Sequence, residues 1–161
     1  IDNISLAVQE NRKIAHELVT PNLSDENLLQ QITRLTQTML KNAGIGTYIN
    51  HESLNERLLT DEMKLALYRV AQEQCTNIIK YAGAEQVVIS LATKKNYFYM
   101  RIADDGHGTD PKKVTHGIGL KNISSRLSVF SGTISIDTAP GQGFALEIEI
   151  PLNRVKESPS V

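Results

Sequence analysis

The run Tyr97-Phe98-Tyr99-Met100-Arg101-Ile102-Ala103-Asp104-Asp105-Gly106-His107-Gly108 joins an alternating segment to an acidic, glycine-bearing turn. Phe98, Met100 and Ile102 share one face and Tyr99, Arg101 and Ala103 the other, the pattern of a half-buried strand. Asp104 continues the apolar register, so its carboxylate is aimed at the core side of a sheet. A carboxylate there is costly unless a specific hydrogen-bonding partner is supplied. Two glycines at alternate positions let backbone approach whatever that carboxylate binds. Taken alone, the stretch reads equally as a tight turn with an acidic tip.

Working outward, Val87, Ile89 and Leu91 alternate as a preceding strand, with Lys94-Lys95-Asn96 turning into the Tyr97 strand. Upstream, Thr60 caps a helix with Asp61 and Glu62 in its first turn, and the helical pattern runs to about Ala82 before Gly83. Earlier still, Ser24 is read as the N-cap of a helix carrying Leu28, Ile32, Leu35 and Met39, with Asp25 and Glu26 in its first turn and Gly44 closing it. Gly46 to Asn50 is a short strand, followed by a polar link through His51 and Asn55. Residues 1–19 show helical spacing ended by Pro21. Downstream, a polar loop reaches about His116, Gly117-Ile118-Gly119 opens a helix from Leu120 to about Phe130, and Gly132 ends it. Ile134 and Ile136 mark one strand, and Phe144, Leu146, Ile148 and Ile150 another, around a turn at Pro140-Gly141. The tail from Asn153 is polar. Helices segregated to one face of half-polar strands predict an α+β fold, a two-layer sandwich with three helices on a mixed sheet of about five strands.

The size suits one domain: 161 residues, 40% hydrophobic and 22% charged. A net charge of −1 leaves no electrostatic footprint for nucleic acid. The single cysteine, Cys75, excludes an internal disulfide and reads as a partly buried helix residue, which fits a cytoplasmic setting. No apolar run approaches the roughly 20 residues of a membrane span. The first residue is Ile1, so the chain reads as an excised piece of a longer parent, and membrane attachment of that parent stays an open reading.

On the helix starting at Asp61, Leu67, Ala71 and Ile78 point to a core, whereas Glu73, Asn77 and Lys80 recur at i, i+4 and i+7 on another face. Such a trio is ordinarily a solvated surface. Its functional reading is an acid, a neutral oxygen ligand and a cation in one patch, suited to magnesium and a polyphosphate. The glycine pair at Gly117 and Gly119 opens a helix whose N–H groups form an anion site, or else a plain entry turn. No GxxxxGK[ST] loop occurs.

Four ordered segments carry a resemblance. Glu73-Gln74-Cys75-Thr76-Asn77-Ile78-Ile79-Lys80-Tyr81-Ala82 resembles the N box of the GHKL ATPase superfamily, and Asp104-Asp105-Gly106-His107-Gly108 its DxGxG box. His116-Gly117-Ile118-Gly119-Leu120-Lys121-Asn122-Ile123 is similar to the second glycine box, and Ala139-Pro140-Gly141-Gln142-Gly143 with the strand to Leu152 to the closing hairpin of sensor histidine kinases. Their spacing and the short lid between the glycine boxes resemble the nitrate-sensor-like branch of bacterial two-component kinases, and the likeness spans about Leu58 to Leu152 strongly and Ser24 to Asn50 loosely.

The resemblance implies a Bergerat-type fold that binds ATP and Mg2+ and transfers the γ-phosphoryl group to a histidine. Asp104 would accept from the adenine amino group, Asn77 would ligate magnesium, Glu73 would polarise the attacking group or a metal-bound water, and Lys80 would reach the phosphates. Gly106, Gly108, Gly117 and Gly119 would shape the lid, with Ile118 and Leu120 at the phosphate-facing helix start. It also implies a division into a helical linker at 1–22 (the end of a dimerisation helix), a catalytic domain at 23–152 and a tail at 153–161. The implied partners are a histidine-bearing dimerisation domain of the same, homodimeric parent and a response regulator. His16 superficially resembles a phosphoacceptor but stands 61 residues before Asn77, too close for a complete dimerising hairpin. Two positions depart from the pattern: Phe144 stands where Thr is frequent, and Tyr81 where His is common. An anti-sigma-type serine kinase shares the boxes, and Phe144 leaves a nucleotide-binding docking module as a further alternative.

Overall fold

A computed structural model describes residues 26–114 and 118–152. The helix expected at 1–19, Ser24, His16, Gly117 and the tail from Asn153 lie outside the described residues.

The first described helix, α1 (Leu28–Met39), starts at Asn27 and not at Ser24. The Asn27 side chain accepts from the Gln30 N–H at 2.8 Å, and Gln30 Oε1 accepts from the Asn27 N–H at 3.2 Å. That reciprocal capping box decides the start, because it satisfies two otherwise orphaned groups at once. Glu26 therefore precedes the helix, whose first turn holds no acidic residue. Its negative charge comes from far along the chain: the Glu56 carboxylate accepts from the Leu28 and Leu29 N–H groups at 2.7 and 2.9 Å. A 3-10 turn (Lys41–Ala43) and left-handed Gly44 end this segment.

Strand β1 (Gly46–Ser53) outruns its expected end, taking in His51. After a 3-10 turn at Glu56–Leu58 comes α2 (Asp61–Asn77), capped by Thr60 as expected, with its hydroxyl accepting from the Met63 N–H at 3.2 Å. A wide π turn over Ile78–Ala82 completes it. Strands β2 (Gln86–Lys94) and β3 (Tyr97–Asp104) form a hairpin. The stretch expected as a plain loop contains a one-turn helix, α3 (Pro111–Val114). Helix α4 (Ile118–Ser128) then leads to the second hairpin, β4 (Thr133–Thr138) and β5 (Phe144–Pro151).

The five strands form one sheet in the order β1-β2-β3-β5-β4. Only β1 and β2 run parallel, joined through α2; the other pairs are antiparallel. Strand alternation sorts the side chains. Val87, Ile89, Leu91, Phe98, Met100, Ile102, Leu146, Ile148 and Ile150 are buried on one face. Against them pack Leu28, Ile32 and Leu35 of α1, Leu67, Val70, Ala71 and Cys75 of α2, and Ile123 and Leu127 of α4. The opposite face carries Tyr97, Tyr99 and a cross-strand Arg101–Glu147 ion pair at 3.0 Å. The fold is the expected two-layer α+β sandwich. No described helix is long and apolar enough to cross a membrane.

Candidate functional site

Where the end of α2 faces the end of β3, a cleft of about 810 Å³ opens. Its α2 wall carries Glu73, Asn77 and Lys80, its sheet floor Asp104 and Phe144, and its far side Gly108, Gly119 and Leu120. Three segments distant in sequence thus meet. Helical spacing explains the first wall: the face bearing Leu67, Ala71 and Ile78 is buried, so the Glu73–Asn77 face is turned away from the core. The π turn widens the helix just after Asn77, and it places Lys80 and Tyr81 on the rim. Among the described residues, no hydrogen bond or ion pair engages the Glu73, Asn77 or Lys80 side chains.

Asp104 lies 8% exposed, at the end of the apolar face of β3 as its register requires. Burial raises its pKa above the ordinary carboxylate range. The Gly106 N–H, donating to Oδ1 at 2.9 Å, opposes the rise, the neighbouring Asp105 charge adds to it, and the Phe144 N–H also opposes it. The backbone around it is tightly constrained. A Cβ at Gly106 would lie 2.1 Å from Ala82 O and 2.9 Å from Asp104 Oδ1. Gly143 adopts a left-handed φ of +72°, and a Cβ there would lie 2.1 Å from Asp104 O. Gly106 thus sits beneath the cleft, joining the end of the π turn to the floor, while Gly108 lines it.

Asp105 has a different duty, which the sequence pattern did not reveal. Its Oδ1 accepts from the Glu85 and Gln86 N–H groups at 2.8 and 2.9 Å. Those bonds, Gln86 first, hold its pKa below the ordinary range. It ties the turn after β3 to the start of β2. The His107 N–H donates to Ala82 O at 2.8 Å, and Gly141 N–H to His107 O at 2.6 Å, so the turn also holds the π segment and the β4–β5 connection.

Helix α4 approaches from the other side. A Cβ at Gly119 would stand 2.7 Å from Glu73 Oε1 and 3.6 Å from Asn77 Nδ2, so α4 closely approaches the α2 wall at this glycine. Ile118 begins α4, and Gly117 lies outside the described residues. Asn122 also lines the cleft and went unremarked as a site residue; its position three residues after Gly119, on the same helix face, is the signal that marks it. Tyr81, noted as a departure, is 75% exposed at the rim. Cys75, expected to be partly buried, is fully buried behind the wall, and burial pushes its thiol pKa up to about 12.

A family model described as histidine kinase-, DNA gyrase B-, and HSP90-like ATPase matches residues 62–154, more than half of the chain. Sensor histidine kinase ComP of Bacillus subtilis is 30% identical over 154 residues, covering 94% of this chain and 20% of that protein. Oxygen sensor histidine kinase NreB of Staphylococcus carnosus is 29% identical over 154 residues, covering 92% and 43%. The chain thus spans less than half the length of these relatives. In fold, the histidine kinase domain of the blue-light activated histidine kinase from Erythrobacter litoralis EL346 matches with a TM-score of 0.66 over 78% of this chain and 61% of that one, at 14% identity. The chain belongs to the histidine kinase-, DNA gyrase B- and HSP90-like ATPase family.

Proposed function

We propose that this cleft binds Mg-ATP, and that the domain transfers the γ-phosphoryl group to a histidine carried by a dimerisation domain of the same parent protein, which then serves a response regulator. One observation carries the reading: an acid, an amide and an amine that find no partner among the described residues converge on a cleft whose floor presents a buried carboxylate. Those groups match the two ends of a nucleoside triphosphate, since an acceptor suits an amino-bearing base and the polar wall suits a metal-bound polyphosphate.

The donors fit magnesium. Asn77 Oδ1 is a hard oxygen ligand, and among the described residues no cluster of three or more His, Cys, Asp or Glu could hold a metal alone. A hard cation bound this way completes its shell with phosphate oxygens and water. When bound, Mg2+ would neutralise charge on the transferring phosphoryl group. Asp104 orients the base by accepting from its amino group. Lys80 holds phosphate oxygens, and Asn77 offers its amide oxygen to the cation. Glu73, nearest the lid, orients the incoming imidazole and draws on its N–H proton as the ring nitrogen attacks. Catalysis of this kind is positioning and charge neutralisation more than covalent chemistry.

Titration calorimetry of ATP into the chain, with and without magnesium, tests the reading. Binding that magnesium strengthens is the expected result, and Asn77→Ala should erase the magnesium dependence. An absence of binding at millimolar ATP would overturn the reading in favour of a docking module. Phosphate transfer to a supplied histidine-bearing hairpin would separate the histidine kinase from a serine kinase.

A further inference from the structure

At the floor of the cleft, four side chains lie in one row across the sheet. Val87 pairs with Asp104, Asp104 with Phe144, and Phe144 with Thr138. Directly opposed residues on one face of antiparallel strands have Cβ atoms roughly 4.5–5.5 Å apart, so Asp104 is flanked at contact range on both sides. Val87 on one flank is fully buried, and Phe144 on the other is packed against the core while lining the cleft. The row's one hydroxyl is already committed: Thr138 Oγ1 donates to Gly143 O at 2.7 Å and accepts from the Thr109 N–H at 3.1 Å. Elsewhere near the floor, Ile78 and Leu120 add apolar surface.

We propose that Phe144 sets the nucleobase specificity of the cleft by keeping water from the flank of Asp104, so that the carboxylate reads only a base that donates to it directly. The inference rests on the nucleotide-binding reading above. Adenine presents an amino group at its C6 position, a donor to the carboxylate. Hypoxanthine and guanine present a carbonyl oxygen there, an acceptor facing an acceptor. In a wet pocket a water molecule donates to both and softens the mismatch. Beside an apolar wall no such water is held, and the unpaired acceptors bear their full desolvation cost. The upward pKa shift of Asp104, led by burial, is consistent with a dry flank.

Calorimetric titrations of ATP and inosine triphosphate, in the presence of magnesium, test this in the unaltered chain and in three variants. The unaltered chain should prefer ATP by at least about 10-fold. Phe144→Thr, which brings a hydroxyl and room for water, should shrink that preference by roughly 10-fold. Phe144→Leu, which keeps the wall apolar, should retain it. If circular dichroism shows the Thr variant unfolded, Phe144→Gln carries the test at near-equal volume, with the same expected loss. ATP binding with an unchanged preference in the polar variant overturns the proposal alone, and so does an equal loss in the Leu variant. Failure of the unaltered chain to bind ATP removes the nucleotide reading itself, and the specificity proposal falls with it.

Discussion

Asp104 and Asp105 are adjacent in sequence and opposite in electrostatic character. The first is raised by burial, and the second is lowered by two backbone N–H donors. A raised carboxyl favours its protonated form in the fold, so the stability it contributes is present at low pH and is lost as pH climbs through its shifted value. Accepting from a base requires the ionised form. ATP affinity should therefore fall on acidification at a pH above the ordinary carboxylate range, a trend that binding isotherms across pH 4–7 would register. Asp104→Asn should weaken ATP binding by about 10-fold or more while circular dichroism stays unchanged; an unaltered dissociation constant would refute the base-recognition role. Alternation in the Tyr97–Asp104 strand made the burial of Asp104 legible in advance. Asp105 was not legible, because its partners, Glu85 and Gln86, lie about twenty residues away and local spacing says nothing of them.

Among the elements, α1 shows most directly how a distant residue completes a helix. Its first two N–H groups are satisfied by Glu56, which stands on the far side of β1. Glu56→Gln keeps the shape but removes the charge at the positive end of the helix dipole, and should cost about 1 kcal/mol. A urea unfolding midpoint lowered at constant slope would record that loss; an unchanged midpoint would show that the carboxylate charge adds nothing at the helix start. The same element explains the misplaced cap. Ser24, Asp25 and Glu26 make a good helix entry on paper, but Asn27 with Gln30 makes a better one, since two reciprocal bonds outweigh a single side-chain acceptor. The π turn after Asn77 was likewise invisible to a 3.6-residue pattern. It still leaves Glu73, Asn77 and Lys80 on one wall, as the spacing required.

For the molecule as a whole, Cys75 reports on global integrity. Its thiol is fully buried between α2 and the core, and burial raises its pKa to about 12. The thiolate is the reactive species, so alkylation near neutral pH should proceed only through opening of the core. Mass-spectrometric labelling should track the denaturant unfolding curve; rapid modification of the folded chain would contradict the packing of α2 against the sheet.

Periodicity and turn residues were enough for the two-layer class, the five strands and the helices over Leu28–Met39, Asp61–Asn77 and Ile118–Ser128, because each is a local preference written within a few neighbouring residues. Which polar groups share one cleft was decided only in three dimensions. Inserting β5 between β3 and β4 sets Phe144 beside Asp104, and packing α4 on α2 brings Gly119 to Glu73. Strand order and helix packing follow from burying one continuous apolar face. That global condition is one no stretch of the chain can satisfy, or announce, in isolation.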